Sequence, residues 1–149
     1  MTIAHISAWL MVAAGGLFSG GILFVAVERV NQWQRMPVDQ YVIDFRRALY
    51  RLDPLLPILG ALTALGAVVF ALNSDERAAV LAWIGTAMIV AIIIASVSIA
   101  EPMNSKFRRL SEGKAPDGVE RIRVSWSRFH LARTVVALGS FACLAAAVV

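Results

Sequence analysis

Four stretches of this chain carry no Asp, Glu, Lys or Arg: residues 1–27, 54–74, 78–100 and 134–149. A helix needs about 20 apolar residues to cross a hydrocarbon layer ~30 Å thick, so four membrane spans are expected. The charges between the stretches are unevenly shared. Arg29, Arg35, Arg46, Arg47 and Arg51 follow the first stretch. Lys106, Arg108, Arg109, Lys114, Arg121, Arg123, Arg128 and Arg133 follow the third or open the fourth, and Arg77 alone separates the second from the third. Short basic loops stay cytoplasmic. The expected fold is therefore all-α: one integral-membrane four-helix bundle over 1–149, with both ends outside. The spans are placed at 3–28, 55–73, 78–101 and 124–148, and the cytoplasmic segments at 29–54 and 102–123.

Composition narrows the class further. Hydrophobic residues make up 59% of the chain and charged ones 16%, against about half and about a quarter in soluble domains. The basic balance orients the spans; a nucleic-acid site would need a folded basic surface that these loops hardly supply, so no nucleic-acid partner is expected. The lone Cys143 falls inside the fourth span, where a small apolar role suffices. No Lys or Arg precedes the first span, and its apolar run is too long for a removable signal, so it is expected to stay in the mature protein.

Gly16 and Gly20 form a small-xxx-small pair, the pattern that lets two helices approach closely in lipid. Trp9 and Trp83 near the outer ends of spans, and Trp33 and Trp126 near the inner ends, suggest aromatic belts at both interfaces. In the first long loop Val38, Tyr41, Val42, Phe45, Leu49 and Leu52 recur at helical spacing, between Pro37 and Asp53-Pro54. That predicts a short amphipathic cytoplasmic helix over 37–52, lying in the interface or running into the second span. Glu112-Gly113 and Pro116-Asp117-Gly118 mark turns in the second long loop, and the link at 73–77 is a tight hairpin.

The fourth charge-free stretch is short. Its 16 residues rise about 24 Å, so a helix ending at Val149 and about 20 residues long draws His130 and Arg133 into the inner edge of the membrane. Titratable groups there usually face the bundle interior or a wet cavity. Trp126, His130 and Arg133 are spaced i, i+4, i+7 and share one helix face. Glu28, Glu101 and Asn104 arrive at the same level from spans one and three, so a carboxylate–imidazole–guanidinium pocket is expected. Each residue also has a plainer role: Arg133 could snorkel, Glu28 and Glu101 could staple helix ends, Trp126 could belong to a belt, and His130 could be a structural hydrogen bonder. His5 and His130 lie at opposite faces, so one haem iron cannot bind both, and no Cys/His cluster suggests a metal. Neither a metal nor another cofactor is expected.

The order Glu101-Pro102-Met103-Asn104, basic loop, Trp126-x-x-x-His130-x-x-Arg133 and a last apolar helix resembles the anthrone oxygenase family of small four-span membrane proteins. The glycine-rich Gly15-Gly16-Leu17-Phe18-Ser19-Gly20-Gly21 fits the same likeness, which covers essentially the whole chain. The resemblance implies oxidation of an anthrone to an anthraquinone by O₂ without an added cofactor. It carries the site to Asn104, Trp126, His130 and Arg133; Glu28 enters on membrane depth alone.

Two function classes follow. In the first, an oxygenase acts on a flat aromatic or quinonoid substrate: His130 is the base, Arg133 and Asn104 stabilise the enolate, and Trp126, Glu28 and Glu101 bind substrate. In the second, a non-catalytic scaffold or accessory subunit binds lipid or quinone. A cavity beside His130 favours the first, and a solid, fully paired cluster favours the second. Membrane lipid and an apolar aromatic molecule or quinone are the expected partners, with homo-oligomerisation left open, and a bacterial inner membrane is the expected location.

Overall fold

The computed structural model describes residues 2–149, and among them the regular structure is entirely helical. Four long apolar helical runs cover Ile3–Arg35, Val38–Ala71, Glu76–Arg108 and Val119–Ala147. The first comprises α1 (Ile3–Phe24), a π-helical segment (Val25–Val30) and α2 (Asn31–Arg35). The second is α3 (Val38–Leu52) and α4 (Leu55–Ala71), hinged at Asp53-Pro54. The third is α5 (Glu76–Ala95), a second π segment (Ser96–Ala100) and α6 (Glu101–Arg108); α7 (Val119–Ala147) completes the set.

Helix ends follow local chemistry. Asp75 caps α5, its Oδ1 accepting from the Ala78 N–H at 3.0 Å. Gly113 and Gly118, in the two turns expected of the second loop, have φ of +80° and +68°, which favours glycine. Proline explains the second π segment. Pro102 has no N–H to return to the carbonyl of residue 98, and its ring would collide with that carbonyl in a regular α-helix. A widened turn immediately before it, Ser96–Ala100, relieves the clash.

Around the bundle, α1 packs on α4, α4 on α5, α5 on α7 and α7 on α1. Its polarity is that of a membrane protein. Large apolar side chains such as Leu17, Leu65, Ile94, Val97 and Val135 cover the outside. A water-soluble monomer does not expose so continuous an apolar surface. Small polar groups lie within and join helices: Ser19 Oγ donates to the Ala137 carbonyl (3.1 Å) and Ser140 Oγ to the Gly85 carbonyl (2.8 Å). The structure is thus a membrane-type four-helix bundle.

Two expectations change, and a third is decided between its alternatives. The closest helix approach does not run through the Gly16/Gly20 pair: a methyl group at Gly16 would make only an ordinary contact with the Phe141 ring of α7, at 3.5 Å. A methyl group at Gly20 would meet nothing within 4 Å, whereas one at Gly66 of α4 would lie 2.9 Å from the Met11 backbone nitrogen. Glycine spacing on one helix does not tell which side the partner takes. Trp33 and Trp126 are not belt residues either. They are 2% and 5% exposed, in an aromatic core with Tyr41, Phe45 and Phe107; only Trp9 and Trp83 face outward. Of the two placements expected for the helix at 37–52, the structure shows the one that runs into the second span. Its apolar residues Tyr41, Val42, Phe45 and Leu49 pack into that same core, because α2, α6 and the start of α7 offer them a protein surface.

Candidate active site

The site is built on α7, where Trp126, His130 and Arg133 share the inward face. His130 is completely buried. Its Nε2 lies 3.0 Å from the Ile22 carbonyl on α1, which only accepts, so Nε2 carries the proton. Nδ1 accepts from Arg133 Nε at 3.1 Å and Nη2 at 2.8 Å. The imidazole is thus a neutral ring with both nitrogens engaged. Trp126 stacks on it, with centroids 4.8 Å apart and planes at 12°. The indole Nε1 in turn donates to Asn104 Oδ1 at 3.0 Å. One chain of contacts therefore runs from Asn104 through Trp126 and His130 to Arg133, whose Nη1 reaches Ser96 Oγ at 3.4 Å.

Beside this chain is a cavity of about 370 Å³ among all four helical runs. Phe18, Ile22, Leu56 and Ile92 give it apolar walls, and its polar groups are Asp53, Ser96, Glu101, Asn104, Arg108 and Arg133. Arg133 and Asn104 face it with unused donors. Asn104 engages only its Oδ1. Among the described residues no carboxylate lies within ion-pair distance of Arg133. Across the cavity, Arg108 bridges two carboxylates: Asp53 Oδ2 at 2.5 Å, and Glu101 Oε1.

The sequence-expected residues divide accordingly. Arg133, Asn104 and Glu101 line the cavity. His130 and Trp126 lie behind them, and the partners of His130 are a backbone carbonyl and Arg133, not the carboxylate or Asn104. Trp126 offers no open platform. His130 is stacked on it, Phe45 and Trp33 meet it edge-on, and the Arg133 guanidinium carbon sits 5.6 Å from its centroid. Glu28 is exposed and apart from the site. Depth in the membrane fixes its level but not its direction around the helix axis, and it falls within a π segment where the helical phase shifts. Two site residues were not singled out in the sequence, Asp53 and Arg108. Asp53 stands at the mouth of the second span as Glu101 stands at the end of the third, and that parallel was the available signal. Among the described residues no three of His, Cys, Asp or Glu gather as a metal ion would require.

No curated protein and no solved structure matches the chain. A family model described as anthrone oxygenase matches residues 45–143, which takes in Asp53, Asn104, His130 and Arg133 and well over half of the chain, and the chain belongs to the anthrone oxygenase family.

Proposed function

We propose that the cavity binds a flat, apolar aromatic ketone of the anthrone type and that the protein oxidises it with O₂. Arg133 carries this reading. An arginine within a membrane helix is costly, about 2.5–3.5 kcal/mol at the centre and less toward the edge, and a buried cation normally has an anionic partner. Here the guanidinium is held in place by His130 and Ser96 at the wall of an apolar cavity, with no carboxylate within ion-pair distance among the described residues. That arrangement suits an oxyanion which forms during reaction: a preorganised donor in a low-dielectric site stabilises charge that develops in the transition state. The free amide hydrogens of Asn104 serve the same oxygen.

The contacts of His130 favour a positioning role over that of base. Protonating Nδ1 would set an imidazolium against the guanidinium that now donates to it. Like charges about 4 Å apart repel by roughly 4 kcal/mol at an effective dielectric of about 20. As a neutral acceptor, His130 instead fixes the Arg133 fork, and Trp126 fixes both His130 and Asn104. Pro57 and Val97, on the cavity rim, also face the outside of the bundle, so an apolar substrate has a route in from the bilayer. With the basic segments cytoplasmic, as the cation distribution supports, the cavity sits toward the inner leaflet of a bacterial inner membrane.

The test is O₂ uptake by purified protein with a simple anthrone. Wild type is expected to exceed the non-enzymatic rate, and Arg133→Ala to lose about 10²–10³-fold with its thermal transition retained. Tight binding of anthraquinone without O₂ uptake would favour a quinone-binding scaffold instead.

A further inference from the structure

If His130 positions Arg133, the proton lost by the substrate needs another acceptor. Resting on the oxygenase reading above, we infer that Asp53 is that acceptor. Two carboxylates line the cavity, Asp53 and Glu101. Asp53 is the less exposed, its side chain 37% accessible against 49% for Glu101. It also shares a second, small void with Arg133 and Trp126, which Glu101 does not reach. Only Oδ2 of Asp53 is bonded, to Arg108 at 2.5 Å; Oδ1 has no protein partner among the described residues. Base and oxyanion donor thus stand on opposed elements, the α3–α4 hinge and α7, with the cavity between them.

Charge supports the same assignment. The cavity walls hold two guanidinium groups, Arg108 and Arg133, and two carboxylates, Asp53 and Glu101. When a substrate C–H bond breaks, its proton passes to Asp53 Oδ1 and its electron pair moves to the carbonyl oxygen, forming an enolate beside Arg133. One negative charge has crossed the cavity and none has been created, so the total in a low-dielectric space is unchanged. Arg108 is not left unpaired, because Glu101 still holds it. The enolate carbon then gives its electron pair to O₂ and forms a C–O bond. The protonated Asp53 returns its proton to the peroxide, and loss of the second C–H with O–O cleavage yields the ketone and one water. The balance is R₂CH₂ + O₂ → R₂C=O + H₂O, and Asp53 ends as a carboxylate.

Proton abstraction can be observed without oxygen. Purified protein is incubated anaerobically with anthrone in D₂O, and deuterium entering the methylene position is followed by NMR, with anthraquinone affinity measured in parallel. Wild type is expected to exchange faster than protein-free buffer. Asp53→Asn is expected to lose on the order of 10²-fold or more, at least about tenfold more than Glu101→Gln, while binding anthraquinone within about threefold of wild type. Asp53→Glu, which keeps a carboxylate, should recover part of the exchange and guards against a folding defect. Undiminished exchange in Asp53→Asn, or equal losses in the Asp53 and Glu101 variants, would overturn the assignment and leave the oxygenase reading intact. Loss of anthraquinone binding together with exchange would make Asp53 a binding residue and overturn it too. Absence of exchange in wild type would remove the oxygenase reading itself.

Discussion

His130 illustrates how far a single residue can be understood from its position in the chain. Its spacing from Trp126 and Arg133 was enough to put it on an inward face, and its burial agrees. What it does there depends on two atoms that no spacing identifies: the Ile22 carbonyl, 108 residues away, and the Arg133 Nη2. Since both ring nitrogens are engaged, His130 should act only through Arg133. His130→Ala is then expected to slow O₂ uptake, and the double variant His130→Ala/Arg133→Ala to be no slower than Arg133→Ala alone, because residues that act as one unit are not additive. Fully additive losses would return His130 to an independent chemical role. Asp53 shows the converse. In the sequence it was half of an Asp-Pro helix stop; in three dimensions it faces the cavity.

Among the elements, α1 and α4 form the closest pair, and the residue that permits it lies on α4. A side chain on Gly66 would strike the Met11 backbone, which cannot move aside as a flexible side chain could. Gly66→Leu is expected to destabilise the bundle by about 1–3 kcal/mol or more, as overpacking does. Gly20→Leu should be nearly silent, since its surroundings are open. Thermal transitions of both variants in detergent check this, and similar values for the two would mean that the α1–α4 contact does not limit stability. The π segments belong to this scale as well. Ser96–Ala100 follows from Pro102, a local cause present in the sequence. Val25–Val30 has no such proline, yet it fixes the direction of Glu28 and the approach of α2 to the aromatic core.

For the whole molecule, orientation in the membrane is the main testable property. Eleven of the fourteen Lys and Arg residues fall in the segments after spans one and three, and Arg128 and Arg133 open the fourth span from the same side; such segments are retained on the cytoplasmic side. Reporter fusions at Asn73 and at Lys114 are expected to report opposite sides, with Lys114 cytoplasmic; the same side for both would refute the two-hairpin topology. The same cations have a second use. Arg29 pairs with Asp44, Arg108 with Asp53 and Glu101, and Arg123 donates to the Trp33 and Met36 carbonyls, so the basic segments also knit α2, α3, α6 and α7 into one polar end above the cavity.

Four apolar helical runs and their hairpin pairing were legible in the chain because they follow from quantities that add along it. Apolar length must match hydrocarbon thickness, and a charge costs more the deeper it lies. Thr134 to Val149 is too short to span alone, and α7 runs back through Arg133 and His130 to Val119. Azimuth and distance do not add in this way. Which face of α1 meets α4, whether Glu28 turns toward the bundle or away, and whether Trp33 and Trp126 lie at an interface or in a core were set by the packing of helices far apart in sequence. The Arg133 guanidinium and the Asp53 carboxylate, 80 positions apart, come to one cavity only when α4, α5 and α7 close around it, because proximity across a bundle is a property of the packed set and not of any helix within it.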